Sequence, residues 1–146
     1  MRIFFIFLII IGGGAYLWFN WTEKQNDKFW ILEVENATIN AELARTRQEK
    51  EKGLSGKEGL KPDEGMLFIY DKEGAYSFWM KDMKFPIDII WFNESWKVVH
   101  IEENLEPATY PDTFQSSSPA RYILEVNAGF IDRHYIDVGD IAVISH

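Results

Sequence analysis

The stretch SFWMKDMKFPIDIIWF, residues 77–92, decides how this sequence is interpreted, because a charged segment runs directly into a very apolar one. Its last six residues, IDIIWF (87–92), have the β-branched and aromatic composition of a buried β-strand. Asp88 interrupts them, and an ionised carboxylate is costly to bury unless it is paired, hydrogen-bonded or protonated. The stretch therefore predicts a strand that is covered on both faces and contains one carboxylate in need of a partner.

Two interpretations of Asp88 are open. Alternate residues of a strand share a face, so Asp88 lies beside Ile90 and Phe92. In the structural interpretation it forms a buried ion pair with a nearby basic residue, or it accepts backbone N–H groups from a neighbouring loop. In the functional interpretation it lies at the mouth of a pocket, where it binds a ligand or acts as a base. Pro86 supports a position near the start of the strand.

The rest of the chain is also dominated by strand patterns. Thr46 and Glu49 form a capping box that opens a short charged helix ending at Gly53, and a helical turn is predicted at residues 128–135. The fold class is therefore mainly β, a single compact domain like a β-barrel or sandwich with two short helices. Period-two alternation and short apolar runs predict seven or eight strands, at residues 30–35, 38–44, 66–71, 75–80, 87–92, 96–101, 121–127 and 140–145.

Residues 104–118 form a long segment without a predicted helix or strand. They contain two prolines and three serines, and they show no apolar periodicity. A loop of about 15 residues is long for a compact domain, and such loops are usually functional or mobile. We therefore expect this segment to be the most mobile part of the domain and able to cover a site as a lid.

Residues 1–21 have the composition of a membrane anchor. Residues 3–19 contain no charged residue and end in a group of aromatic side chains, as at the interfacial belt of a membrane protein. A helix of about 17 residues rises about 25 Å, the lower end of what spans a bilayer. The competing interpretation is a cleaved signal peptide, for which residues 12–15 supply small side chains.

The expected organisation is an uncleaved single-pass anchor at residues 1–21, a polar tether at 22–28 and a β-rich domain at 29–146. The positive charges on the two sides of the apolar run are nearly balanced, so they set the orientation only weakly. The short N-terminus before a first apolar segment favours a domain that faces outward, extracellular or periplasmic.

The composition excludes several classes of function. The chain has no cysteine, which excludes disulfides and a lipid-modified cysteine anchor. The net charge of −8 argues against nucleic acid as a partner. The three histidines lack metal-ligand spacing and no nucleotide-binding motif is present, so we expect neither a metal site nor a cofactor. Residues 45–61 differ from the chain as a whole because they carry a positive excess, with six basic and three acidic side chains. We interpret this segment as solvated surface.

Three blocks of the sequence together resemble a known family. They are GLSGKEGLKPDEGMLFIY (53–70), SFWMKDMKFPIDIIWF (77–92), and SSSPARYILEVNAGF followed by HYIDVGD (116–130 and 134–140). In this order they resemble the domain of unknown function family numbered 192, over roughly residues 38–144. The resemblance implies a small β-rich fold, often behind a signal or anchor, with no established activity. Members often carry a cysteine pair in the loop before the PARY block, and this chain has none there.

Other residues of these blocks are candidates for a site. Glu125 and Asp88 are the two carboxylates expected to be partly buried, and a pair about 5–9 Å apart could hydrolyse glycosides. Asn127 precedes a predicted helix, where it either caps the helix or leaves N–H groups free for an anion. Trp79 is either core or an exposed binding platform, and Trp96, directly after a turn, is the best candidate for exposure.

These features favour a membrane-anchored, outward-facing domain that binds a peptide, a glycan or another envelope protein. In this hypothesis the site residues are Lys81, Asp88, Glu125 and Asn127, with Trp79 as an apolar wall. Lys81 binds or neutralises an anionic group, Asp88 fixes a donor, and Asn127 orients the ligand with its amide. Two alternatives stay open: an envelope hydrolase that uses Asp88 and Glu125, and a structural assembly factor with an aromatic contact surface. Whether the protein is an enzyme is not decided by the sequence.

Overall fold

The computed structural model describes residues 28–145 and contains nine β-strands and two α-helices in that range. The helices are α1 (Arg47–Lys52) and α2 (Phe130–His134), and one turn of 3₁₀ helix spans Pro107–Thr109. The strands are β1 (Phe29–Val34), β2 (Ala37–Ala44), β3 (Glu64–Gly74), β4 (Ser77–Trp79), β5 (Ile87–Phe92), β6 (Val98–Leu105), β7 (Thr113–Gln115), β8 (Ala120–Asn127) and β9 (Val143–Ser145).

Seven strands form one sheet in the order β6-β5-β8-β3-β2-β1-β9, and β4 pairs with β7 in a separate small sheet. All neighbours are antiparallel except β2 and β3, which are parallel. The expected β-rich single domain with two short helices is confirmed, but the expected closure into a barrel is wrong. The edge strands β6 and β9 do not form a ladder in the described chain; an isolated bridge joins Lys97 to Ile141 just outside them. A three-residue β9 is too short to close the sheet.

The strand IDIIWF is β5, and every one of its residues is buried, as its composition predicts. On one face, Ile90 and Phe92 pack with Phe130 of α2 in a core that extends to β1 and β2. On the other face, Ile89 and Trp91 pack in a second core that includes residues of β4. Burying a large apolar side chain contributes about 1.5–3 kcal/mol, so a strand covered on both faces contributes strongly to the stability of the domain.

The segment 104–118 is not the predicted loop without helix or strand, because residues 104–105 end β6 and Pro107–Thr109 form a 3₁₀ turn. It contains β7, where Phe114 lies opposite Phe78 of β4, and the predicted strand 75–80 is correspondingly shorter. A strand of three residues is too short to show a periodic pattern, and its partner is more than 30 positions away. The two prolines lie before β7, so they do not interrupt its pairing.

The predicted capping box of α1 is confirmed. The side chain of Thr46 accepts a hydrogen bond from the backbone N–H of Glu49 (3.2 Å), and the carboxylate of Glu49 accepts one from the N–H of Thr46 (2.8 Å). The helix ends at Gly53, whose φ of 49° is in the left-handed region that glycine adopts easily. Both ends of this short helix are therefore defined by the local sequence.

The predicted anchor at residues 1–21 and the tether up to residue 27 lie outside the described residues. Between residues 28 and 145 the structure has no helix of the length and apolar character needed to cross a membrane.

Candidate functional site

Asp88 is fully buried and holds two pieces of backbone together. Its Oδ1 accepts a hydrogen bond from the N–H of Asn104 (2.8 Å), and its Oδ2 accepts one from the N–H of Ile131 (3.0 Å) in the first turn of α2. Asn104 lies at an irregularity in the β5–β6 ladder and has a φ of 54°. Of the two structural roles considered for Asp88, the structure shows the second: its carboxylate accepts hydrogen bonds from backbone N–H groups and forms no ion pair with the described residues.

Glu125 projects from the opposite face of the sheet. In the β5–β8 ladder, Glu125 lies opposite Ile89, and Asp88 lies opposite Val126. Residues directly opposite each other share a face, and adjacent residues alternate, so the sheet separates the two carboxylates. They cannot flank one glycosidic bond, as the paired-carboxylate mechanism requires.

The carboxyl group of Glu125 is buried among apolar side chains without a full set of partners. The residue is only 5% exposed, and its Oε2 has no hydrogen-bond partner. Burial raises the pKa of Glu125 to about 8, so the group is largely a neutral carboxylic acid near pH 7. A neutral acid is both a hydrogen-bond donor and an acceptor.

Glu125 lines the narrow inner end of a surface groove. This inner pit has a volume of about 60 Å³, and its apolar lining includes Phe68, Phe78 and Met83. A wider outer part of about 580 Å³ is lined by Arg45, Arg47, Lys50, Tyr70, Ser77 and Trp79, with Glu51 and Asp71. Lys50, Tyr70, Ser77 and Trp79 line both parts, so pit and outer part are continuous. We call this depression the Glu125 groove.

Gly53, the last residue of the α1 cap, lets the backbone pass close to the pit. A Cβ at this position would lie 3.8 Å from Oε2 of Glu125 and 3.2 Å from the ring of Phe68. The positive φ already favours glycine there, and the close approach adds a second reason for it. The local structure that ends α1 thus also shapes the inner end of the groove.

Trp79 is the exposed aromatic wall of the groove. Its side chain is 50% exposed, its ring meets the edge of Tyr110 at a centroid distance of 6.0 Å, and Nζ of Lys81 lies 5.6 Å from its ring centroid. The expectation that Trp96 is the exposed tryptophan is wrong. Trp96 stacks on Tyr122 at 3.7 Å and packs against the core.

The outer rim of the groove is basic because α1 contributes cationic side chains. Arg47 forms an exposed ion pair with Glu51 (2.7 Å), and Nζ of Lys50 lies 4.2 Å from the ring centroid of Tyr70. Burial, followed by the neighbouring Tyr76, raises the pKa of Tyr70 to about 12, so its hydroxyl group stays protonated. The rim thus offers cations and a neutral hydroxyl to a ligand.

The remaining predicted site residues lie elsewhere. Asn127 donates from Nδ2 to the carbonyls of Leu60 (3.3 Å) and Lys61 (2.9 Å), which fixes the loop before β3. Its expected role as the cap of α2 is wrong, since the N-cap is Gly129. Lys81 does not line the groove, although it lies next to Trp79. Of the five predicted residues, the groove brings Glu125 and Trp79 together, with Lys81 beside them; Asp88 and Asn127 are not part of it.

Sequence reasoning missed the contribution of α1 and of Tyr70. The signal was present, because residues 45–61 carry six basic and three acidic side chains in a chain of net charge −8. We interpreted this excess as solvated surface, since the sequence does not show that α1 packs beside β3 and β4. Only the fold places Arg47 and Lys50 at the mouth of a pit that contains Glu125.

The fold and the site can be compared with known proteins. Residues 30–144 match the sequence model of the family described as "Uncharacterized ACR", domain of unknown function 192. The chain belongs to this family. The resemblance seen in the three sequence blocks is thereby confirmed, and it extends to residue 30. No curated protein matches this family member.

Two solved structures are similar to this member of the uncharacterized ACR family. A candidate transcription regulator from Sinorhizobium meliloti 1021 has a TM-score of 0.75 and 27% sequence identity, covering 80% of this chain and 93% of its own. A protein of unknown function from Novosphingobium aromaticivorans DSM 12444 has a TM-score of 0.73 and 30% identity, covering 77% of this chain and 83% of its own. Both share the fold of the described domain.

Proposed function

We propose that the chain is a membrane-anchored, outward-facing module that binds a ligand, a glycan or a peptide of an envelope partner, in the Glu125 groove. The observation that carries this proposal is the buried Oε2 of Glu125, which lacks a hydrogen-bond partner at the inner end of an open groove. A buried polar group without a partner costs about 1–3 kcal/mol. A ligand that reaches this oxygen recovers that free energy, so the site is prepared for an occupant.

The size and lining of the groove also support binding. Its outer part, about 580 Å³, is within the usual range of about 300–1,000 Å³ for ligand sites. Trp79 offers an apolar face that is half exposed without a ligand, and the neighbouring cations attract a polar partner. The uncharged run at residues 3–19 supports the anchored part of the proposal.

The hydrolase alternative has less support. It requires Asp88 and Glu125 on one face, and the β5–β8 register separates them. Asp88 is also occupied, since both of its oxygens accept backbone hydrogen bonds. Binding requires only one of the two carboxyl groups, and Glu125 is the one that lines a groove.

One observation supports the alternative of a structural assembly factor, namely a group of exposed apolar residues near β9. Ile141 and Val143 are more than 60% exposed at or next to the edge strand β9, and Val138 is exposed nearby. Exposed apolar residues beside an unpaired strand edge can contact another chain. None of these three residues lines the Glu125 groove, so substitutions in this surface do not change the lining of the groove.

The binding proposal is tested by nuclear magnetic resonance titration of the ¹⁵N-labelled full-length chain in detergent micelles. The probes are six sugars (glucose, glucuronic acid, glucose 6-phosphate, galactose, N-acetylglucosamine and N-acetylmuramic acid) and the peptide tetra-alanine. We expect at least one probe to shift the indole N–H resonance of Trp79 and the amides of Tyr70 and Ser77. If no probe shifts these resonances, the binding proposal is overturned.

Trp79→Ala and Tyr135→Ala form a matched pair of variants for the same titration. Both remove an exposed aromatic side chain, but only Trp79 lines the groove. We expect Trp79→Ala to weaken binding at least about tenfold, which corresponds to about 1.4 kcal/mol. Tyr135→Ala is expected to bind as the parent does. Equal affinities for all three proteins would place the ligand outside the groove.

A further inference from the structure

The inner pit of the groove selects a small hydroxyl group. An apolar cavity of about 150 Å³ holds a benzene ring. A pit of about 60 Å³ therefore admits a hydroxyl or hydroxymethyl group and is too small for a ring. Oε2 of Glu125 has no partner there, and Phe68 and Phe78 offer none. A hydroxyl group both donates and accepts, which complements a carboxylic acid at the end of the pit.

The wall next to the pit suits a saturated ring with an apolar face. Trp79 lines both the pit and the outer part, so a ring against its indole can extend a hydroxyl group towards Glu125. Ring C–H groups pack on an aromatic face, while ring hydroxyls keep their contact with water. A sugar has this combination of an apolar face and projecting hydroxyls.

The rim adds a requirement for negative charge. Arg45, Arg47 and Lys50 line the outer part against two acidic residues, Glu51 and Asp71, in a chain whose net charge is −8. The Arg47–Glu51 pair is largely exposed, and an exposed ion pair is weak because water screens it, so a ligand anion can compete with Glu51. The arginine fork binds carboxylate and phosphate groups in a bidentate way.

We infer that the Glu125 groove binds a saccharide that carries a carboxylate or a phosphate group, an inference that rests on the proposed function. One sugar hydroxyl enters the pit and pairs with Glu125. The sugar ring packs on Trp79, and the anionic substituent faces Arg47 and Lys50 on α1. Each of the three contacts uses a different property of the groove, so each can be removed separately.

Matched sugar pairs test the requirement for charge. In the titration described above, glucuronic acid and glucose 6-phosphate are compared with glucose, and N-acetylmuramic acid with N-acetylglucosamine. We expect the acidic member of at least one pair to bind at least about tenfold more tightly than its neutral counterpart. The preference should decrease at high salt, because the Debye length falls from about 30 Å at 0.01 M to about 3 Å at 1 M. The glucuronic acid and glucose 6-phosphate results distinguish a carboxylate from a phosphate ligand.

Variants separate the contribution of the rim from that of the pit. The double variant Arg47→Ala/Lys50→Ala removes the two cations that face the anionic substituent, and it should reduce the acidic-to-neutral affinity ratio to about one. Arg133→Ala removes an exposed arginine of α2 and should leave the ratio as in the parent. Glu125→Met keeps the length of the side chain but removes the acid, and should weaken both members of a pair about equally. Glu125→Gln, which keeps a donor and an acceptor, should restore binding.

The outcomes distinguish this inference from the proposed function. If a neutral sugar or tetra-alanine shifts the groove resonances as strongly as the acidic sugars do, the acidic-saccharide inference is overturned and the binding module stands. If the acidic sugars bind but the acidic-to-neutral affinity ratio is the same in Arg47→Ala/Lys50→Ala as in the parent, Arg47 and Lys50 do not bind the anionic group. If nothing shifts the resonances of the groove, both proposals fail.

Discussion

Glu125 makes the stability of the domain depend on pH. Burial raises the pKa of its carboxyl group to about 8, whereas the group titrates near about 4.3 in an unfolded chain. Below about pH 4 both states hold the proton, so the titration of Glu125 adds no pH dependence to the free energy of unfolding. As the pH rises above this value the unfolded state loses its proton first, and the free energy of unfolding falls until the folded state is also deprotonated.

Glu125→Gln removes this titration and keeps the size of the side chain. Relative to the parent, we expect the free energy of unfolding of the variant to increase by several kcal/mol between about pH 5 and pH 8, since one pKa unit corresponds to about 1.4 kcal/mol. Urea unfolding of both proteins at several pH values measures this difference, in which the other titrating groups cancel. A difference that is constant with pH would mean that the folded protein already contains an ionised Glu125.

Asp88→Asn tests the other buried carboxyl group. An amide offers one oxygen to the two N–H donors of Asn104 and Ile131, so one donor loses its partner. Hydrogen bonds to charged groups contribute about 1.5–3 kcal/mol, and we expect a loss of about 2 kcal/mol in urea unfolding. The exposed Asp112→Asn is the control and should change stability little. If Asp88→Asn has the same free energy of unfolding as the parent, neither hydrogen bond contributes to stability.

At the residue level, the sequence predicted burial but not partners. Asp88 was correctly expected to be buried and to need compensation, because its neighbours are apolar on both faces. The compensation comes from the N–H groups of Asn104 and Ile131, and every residue except proline carries such a group. No residue type in the sequence marks these donors, so their identity required the fold.

At the level of elements, α1 and β4 line the groove on two sides, and β4 pairs with β7. The capping box and Gly53 define α1 from local sequence alone, and both were predicted correctly. The β4–β7 pairing depends on residues 77–79 and 113–115, which are distant in sequence and too few for a pattern. The helix was therefore predictable as an element, but neither its place beside the groove nor the non-local strand pair was.

The β4–β7 pair should open more easily than the main sheet. Each strand has only three residues, and β7 lies in a segment rich in proline and serine. We expect the amides of residues 113–115 to exchange hydrogen faster than those of Val98–Leu105, as measured by hydrogen exchange with mass spectrometry. Because Tyr110 contacts Trp79, opening of this segment would change the aromatic wall of the groove. Equally slow exchange in both segments would exclude a lid formed by β7.

At the level of the whole molecule, charge is distributed unevenly. The net charge is −8, yet the basic residues of α1 gather at the Glu125 groove. Net charge alone argued against nucleic acid, and it also concealed the local group of basic side chains at the groove. The net charge of the whole chain affects solubility and long-range attraction. Binding of a small ligand depends instead on the few charges within about one Debye length of the site.

The last prediction concerns how the domain is attached. If residues 3–19 are an uncleaved anchor, the mature protein keeps these residues, and a tether of residues 22–28 follows the membrane. An extended residue spans at most about 3.3–3.6 Å, so about seven residues keep the domain within about 25 Å of the bilayer. Mass spectrometry of the native protein should therefore detect residues 3–19, and a protease added to intact cells should digest the domain while a cytoplasmic marker survives. A new N-terminus near residue 15 or later would show cleavage, and a fully protected domain would reverse the orientation and place the groove inside the cell.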